Sequence, residues 1–323
     1  MSVVRPLPSS AALALVVLGG AASAAQGVVN AELGERAGNP VVGAVVNNLG
    51  GSLLVAVGLF AVPSMRAGLA VLRRSGLPWW SYLGGLGGAA IVVIGTYVVP
   101  VLGVAVFTIA QVAGGSVGGL AVDRAGLAAA GRLPFTVPRV AGALLGVGAV
   151  TLAQLGRPVG DLAGGLVLLA VAGGLAVALQ SALNGRVSAA STTAAGIAVN
   201  FAVGTPVILA VAALVGAFAA RPSWPGQWWL YGGGLLGVGI VLSLLVGVRA
   251  VGVLRTGLAL VAGQLGGALL LDVLLPGGAG ARLPVLAGAA LTVVAVVVAG
   301  GRRRAGIRVA PDRSPEPDGR LVG

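Results

Sequence analysis

Cysteine, histidine and lysine are all missing from this chain of 323 residues. Without cysteine there is no disulfide framework, no thiol nucleophile and no zinc–thiolate site. Without histidine the commonest metal ligand and general base are gone as well. The lack of lysine removes the phosphate-cradling Walker motif, so glycine pairs such as Gly19-Gly20 are not phosphate loops. No cofactor or metal is expected. Charge is scarce too: Asp, Glu, Lys and Arg make up 9% of the chain, against about a quarter in an average soluble domain. A soluble fold of this length could not cover its surface with so few charges. Disorder is excluded by the opposite feature, a hydrophobic content of 57%. An outer-membrane barrel needs short alternating segments, whereas the apolar runs here are continuous. What remains is a polytopic helical membrane protein.

The net charge of +12 comes from arginine alone. These arginines stand singly or in twos and threes between apolar runs, as membrane loops do. They do not form the single basic face that a nucleic-acid partner requires, so no nucleic acid is expected. Arg5, the run Ala11–Leu18 and the small residues Ala22-Ser23-Ala24 imitate a cleavable secretory signal. The same pattern returns deep in the chain, which favours reading the segment as the first membrane helix.

Windows of about 20 apolar residues give ten spans, at 9–31, 41–63, 79–99, 101–122, 140–156, 162–184, 194–219, 228–248, 256–275 and 285–300. Pro100 is expected to separate the third from the fourth, and Pro63–Pro78 reads as a connecting turn. Glu32, Glu35 and Asp161 fall in the outer loops of this scheme. After Gly301 the composition turns to Arg, Pro and Asp, which reads as a disordered cytoplasmic tail, 302–323.

Internal repetition is the strongest signal. Trp79-Trp80-x-Tyr82-x-Gly84-Gly85 returns as Trp228-Trp229-x-Tyr231-x-Gly233-Gly234, an offset of 149. The same offset pairs Gly103 with Gly252, Gly114 with Gly263, Gly118 with Gly267 and Asp123 with Asp272. Upstream, Gln26-x3-Asn30 pairs with Gln180-x3-Asn184 at offset 154, and Asn47 with Asn200 at offset 153. A collinear series of this length is a fused duplication: residues 1–157 form the first five-helix repeat and 158–301 the second. An odd number of spans per repeat makes the two halves inverted, as in many secondary transporters. With the N-terminus in the cytoplasm, sixteen arginines fall on the cytoplasmic side and four outside. The positive-inside rule therefore puts both termini in the cytoplasm.

Gln26-x3-Asn30-x2-Leu33-Gly34 followed by Gly43 and Asn47, the paired Trp-Trp-x-Tyr-x-Gly-Gly segments, and Gly263-Gln264-Leu265 eight residues before Asp272 resemble the YdcZ-type family of the drug/metabolite transporter superfamily. The resemblance covers about residues 12–300. It implies an inner-membrane, exporter-like carrier of a small metabolite or drug-like solute. One departure stands out: Gly115 occupies the repeat position of Gln264, with Gln111 one turn earlier on the same helix face.

Polar side chains within the spans are the functional candidates. Gln26 and Asn30 are four apart and share a helix face, as do Gln180 and Asn184. Amides without partners in hydrocarbon cost several kcal/mol, so these four, with Asn47, Asn200, Gln111 and Gln264, must face protein or a watery cavity. Two readings stay open: interhelical glue, worth about 0.6 kcal/mol on average, or the lining of a substrate cavity. Asp272 and Asp123 are the candidates for coupling to a proton, since intramembrane carboxylates are functional by default. The bland alternative is a helix-end carboxylate paired with a loop arginine. The glycine pairs Gly84-x3-Gly88, Gly114-x3-Gly118, Gly233-x3-Gly237 and Gly263-x3-Gly267 permit close helix approach, inside the bundle or at a homodimer face. Trp79, Trp80, Trp228, Trp229 and Tyr231 read as interfacial anchors. The expected function is a secondary carrier moving a small neutral or amphipathic solute. A channel or a structural partner-binding subunit is the alternative, and a membrane-embedded lipid enzyme lacks the nucleophile, base or metal it would need.

Overall fold

A computed structural model describes residues 7–156, 163–219, 221–274 and 283–301, with the backbone alone at 92, 96, 99, 100, 103–105 and 272. The tail 302–323, Asp161 and the arginines at 5, 157 and 282 lie outside the described residues, which are all helical or connecting, with no strand. The helices are α1 (Ser9–Arg36), α2 (Pro40–Ala61), α3 (Pro63–Arg73), α4 (Leu86–Ala125), α5 (Val137–Ala153), α6 (Gly164–Ala190), α7 (Thr193–Leu214), α8 (Gly233–Val251), α9 (Val253–Leu274) and α10 (Leu283–Ala299). Both Trp-Trp motifs form short 3-10 helices, Trp79–Gly85 and Trp228–Gly232. Seven segments are long and apolar enough to cross a bilayer, and three shorter apolar ones, Trp79–Gly95, Val137–Ala153 and Leu283–Ala299, stand with them. The protein is an all-α membrane protein of two inverted five-helix repeats.

Three local expectations need correcting. α1 runs on to Arg36, so Glu32 and Glu35 belong to its last turns rather than to a loop, and Glu32 pairs with Arg36 one turn away. The stretch after Pro63 is a helix, α3, because its proline sits at the first helical position, where no amide donor is needed. Arg66 of α3 donates to the carbonyls of Leu59 and Phe60 at 2.7 and 2.6 Å, satisfying the open end of α2.

The third difference concerns Pro100. Helical backbone continues from Leu86 to Ala125 without the expected break. A straight helix of 40 residues would be about 60 Å long, about twice the hydrocarbon core of a bilayer. The chain instead folds back on itself. Gly95 faces the ring of Phe107, and the adjacent Gly173 and Gly174 of α6 meet Ile91 and Ile94 on one side and Gln111 and Gly115 on the other. Pro100 lies in the middle of this reversal, so α4 supplies two crossings, as the sequence requires. In the second repeat the same reversal is an open break at Gly252, whose φ of 82° and ψ of 173° only glycine adopts readily.

The halves embrace each other. Both arms of α4 lie along α6, with Gly114 against the Val171 carbonyl and Gly88 against Gln180. In return α8 and α9 hold α1, with Gly263 against the Val17 carbonyl and Gly237 against Gln26. These contacts are related by the offsets of 149 and 154 that relate the sequence motifs. All four glycine pairs are thereby used inside the bundle. Equivalent N-caps recur too: Asn39 Oδ1 accepts from the Val41 amide at 2.9 Å, and Thr192 Oγ1 accepts from that of Ala195 at 3.1 Å. Ser52 and Thr205, repeat mates 153 apart, touch through their hydroxyls at 2.8 Å. Equivalent residues meet only on a symmetry axis, so the pseudo-twofold passes between α2 and α7.

Candidate functional site

The eight candidate amides separate into three groups. In the first repeat Gln26 Nε2 donates to Asn47 Oδ1 at 3.0 Å and to the carbonyl of Gly233 at 2.8 Å. In the second Gln180 Nε2 donates to Asn200 Oδ1 at 3.1 Å, and Asn184 Nδ2 donates to the same oxygen at 2.7 Å. Each cluster joins the first two helices of one repeat to the glycine-rich opening of the third span in the other. Asn184 Oδ1 sits over Gly84, and Asn30 Oδ1 over Gly233, where a Cβ would stand. Asn184 and Asn200 are buried, at 4% and 8% exposure.

Gln111 and Gln264 lie elsewhere. They line a cavity of about 150 Å³ between the second arm of α4, α6, α8 and α9. Its other polar groups are the hydroxyls of Thr108, Ser116, Ser181 and Thr256, and the rest of the wall is apolar, including Val112, Leu254 and Leu260. None of the six clustered amides belongs to this wall. Gln264 stands halfway along α9, so the cavity reaches from the first turn of that helix to mid-membrane depth. Gln264 Nε2 donates to Ser23 Oγ of α1 at 3.0 Å, while Gln111 and Ser116 make no side-chain hydrogen bond to described residues. The hydroxyls carry one signal in the sequence: Thr256, Leu260 and Gln264 recur every fourth residue on one face of α9.

Asp123 is fully buried at 0% exposure. One carboxylate oxygen takes a hydrogen bond of 2.6 Å from Arg139 at the start of α5. The same oxygen accepts from the Leu254 amide at 3.2 Å, and the other accepts from the Val253 amide at 2.8 Å. The carboxylate therefore caps the N-terminus of α9, where open amides and the helix dipole favour negative charge. Val253 and Leu254 also line the cavity, so this cluster stands at one end of it. Arg139 entered the sequence reading only as a topology signal. Asp272 stands in the last turn of α9, and its side chain lies outside the described residues. No group of three or more His, Cys, Asp or Glu residues that could hold a metal is present among the described residues.

At the membrane faces Trp79 and Trp228 are 74% and 83% exposed, as interfacial anchors are. Trp80 instead takes the guanidinium of Arg186 over its ring at 5.1 Å.

These features define a class: a multi-pass helical membrane protein in two inverted repeats, with a partly polar cavity where the repeats meet. The chain belongs to the family described as "Putative inner membrane exporter, YdcZ", whose model matches residues 11–152 and again 165–298. No curated protein matches the chain. A solved structure named only "Crystal structure of protein" shares the fold, with a TM-score of 0.62 and 19% identity over 90% of this chain and 96% of its own.

Proposed function

We propose that the protein is a secondary transporter of a small solute, working as an exporter by alternating access of its two repeats. The observation that carries this reading is the cavity reaching mid-membrane depth, walled by Gln111 from one fourth span and Gln264 from the other. Inverted-repeat carriers place their binding sites at such a depth, at the repeat interface. The two repeats also stand in different conformations. The turn between the third and fourth spans is continuous helix in one and an open, Asp123-capped break at Gly252 in the other. Exchange of these conformations between the halves would open the cavity to opposite sides in turn. With both termini in the cytoplasm, the orientation the arginine distribution favours, the Asp123–Arg139 cluster would lie at the cytoplasmic end of the cavity. Five of the clustered amides serve as interhelical hydrogen-bonding groups in this reading, Asn30 packs over Gly233, and Gln111 and Gln264 contact the solute.

Counterflow in proteoliposomes tests the proposal. A solute that stabilises the purified protein should exchange faster when the opposite compartment is preloaded with it. Uptake indifferent to preloading would make the protein a channel and end the carrier reading.

A further inference from the structure

We infer that the cavity selects an uncharged solute of about the bulk of a single aromatic ring, carrying both a hydrogen-bond donor and an acceptor, and that Gln111 is the residue that reads it. The inference rests on the reading of the cavity as the transport site and adds the chemistry of what enters it. Three observations carry it.

The first is charge. No Asp, Glu or Arg lines the cavity. The charged groups flanking it are Asp123, Arg139 and Arg255. Asp123 and Arg139 are bonded to each other, and Asp123 also to the amides of Val253 and Leu254. Arg255, between the lining residues Leu254 and Thr256, turns its guanidinium to α10, against Gly300 and the Val296 carbonyl. None of the three faces the cavity as a counter-ion. A charged solute would lose its water and gain no opposite charge, and burial of an unpaired ion is the costliest of mismatches.

The second is size. A cavity of about 150 Å³ matches the engineered apolar cavity that takes up benzene.

The third is hydrogen bonding. An apolar solute would leave the amide of Gln111 and the hydroxyl of Ser116 without a partner. An amide presents both donors and an acceptor, so the matching solute offers one of each.

The test uses four ring-sized probes on the purified full-length protein: benzamide and benzyl alcohol as neutral ligands, benzylammonium and benzoate as charged ones. Binding is read by thermal stabilisation and by calorimetry. Benzamide is expected to bind at least tenfold more tightly than either charged probe. Gln111→Leu should weaken benzamide about tenfold, the upper end for one hydrogen bond, while leaving the ligand-free unfolding midpoint near that of the parent. Gln111→Glu should reverse the order and favour benzylammonium, an outcome that a merely structural role for Gln111 would not produce. Benzylammonium or benzoate binding the parent as well as benzamide overturns the inference. So does failure of both neutral probes to bind, or benzamide binding that neither substitution alters. Failure of the carrier reading looks different: benzamide would then bind with the expected Gln111 dependence yet show no trans-stimulated exchange. If charged probes alone bind and exchange, the carrier reading stands and the solute class falls.

Discussion

Asp123 and Arg139 form a buried ion pair at 2.6 Å whose carboxylate also caps the first turn of α9, 130 residues along the chain. One side chain thus ties α4 and α5 of the first repeat to the fourth span of the second. Removing one partner of such a pair leaves a buried charge uncompensated, at a cost of about 3–5 kcal/mol. Arg139→Leu should therefore lower the unfolding midpoint sharply in detergent. The double variant Asp123→Asn with Arg139→Leu should recover part of the loss, because the orphaned charge is gone. An unchanged midpoint in Arg139→Leu would show that the pair holds nothing together.

A second prediction follows from the close approach of Asn184 to Gly84 and of Asn30 to Gly233. A Cβ at Gly233 would lie 2.6 Å from Asn30 Oδ1, and one at Gly84 would overlap Asn184 Oδ1. Gly84→Ala and Gly233→Ala should each cost about 1–3 kcal/mol by overpacking. Gly148→Ala is the control, since a methyl group there meets nothing within 4 Å. It should stabilise α5 by about 0.5–1 kcal/mol. Equal behaviour of all three variants in thermal unfolding would refute the packing argument.

The duplication was legible in the sequence because it is a pattern of residue types: Trp-Trp-x-Tyr-x-Gly-Gly twice, Gln-x3-Asn twice. The swap between halves was not, since nothing in Gly114 or Gly263 says which helix will cover it. The reversal at Pro100 was expected, but not that helical backbone would continue through it, because a proline removes one amide donor without dictating how its neighbours compensate. Arg139 shows the same limit. Spacing gives the face of a helix, but a pairing across 16 residues and a loop depends on the tertiary fold.

The amide clusters give a third prediction, one that separates packing from binding. Asn200 Oδ1 accepts from both Gln180 and Asn184. Asn200→Leu leaves two donors without a partner, each worth about 1–3 kcal/mol when buried. Its unfolding midpoint should fall well below that of Gln111→Leu, which breaks no hydrogen bond among described residues. Transport per folded molecule should show the reverse order, with the larger loss in Gln111→Leu. If Asn200→Leu folds like the parent and abolishes transport, the cluster belongs to the solute site after all.

Topology gives a fourth prediction. The arginine distribution predicts both termini on the cytoplasmic side. A fluorescent protein fused after residue 301 should therefore fluoresce, and alkaline phosphatase fused there should be inactive. The opposite pattern would invert the protein and put the Asp123–Arg139 end of the cavity outside.

The last prediction concerns the driving force and turns on the difference between the two repeat-related aspartates. A proton-driven carrier needs a group that gains and loses charge as its surroundings change. Asp123 is poorly suited: Arg139 and two backbone amides already engage its carboxylate. Asp272 has no such arginine in its stretch of chain, since none occurs between Arg255 and Arg282. Carrying a charge at membrane depth costs about 2.5–3.5 kcal/mol on insertion scales, and taking up a proton removes that cost. Protonation of Asp272 would thus favour whichever access state holds it away from water. Asp272→Asn imitates the protonated form permanently. In proteoliposomes the variant should still exchange solute at equal pH on both sides, yet fail to accumulate it when a pH gradient is imposed. Accumulation equal to that of the parent would remove Asp272 as the coupling group and leave the solute's own gradient, or another ion, to drive transport.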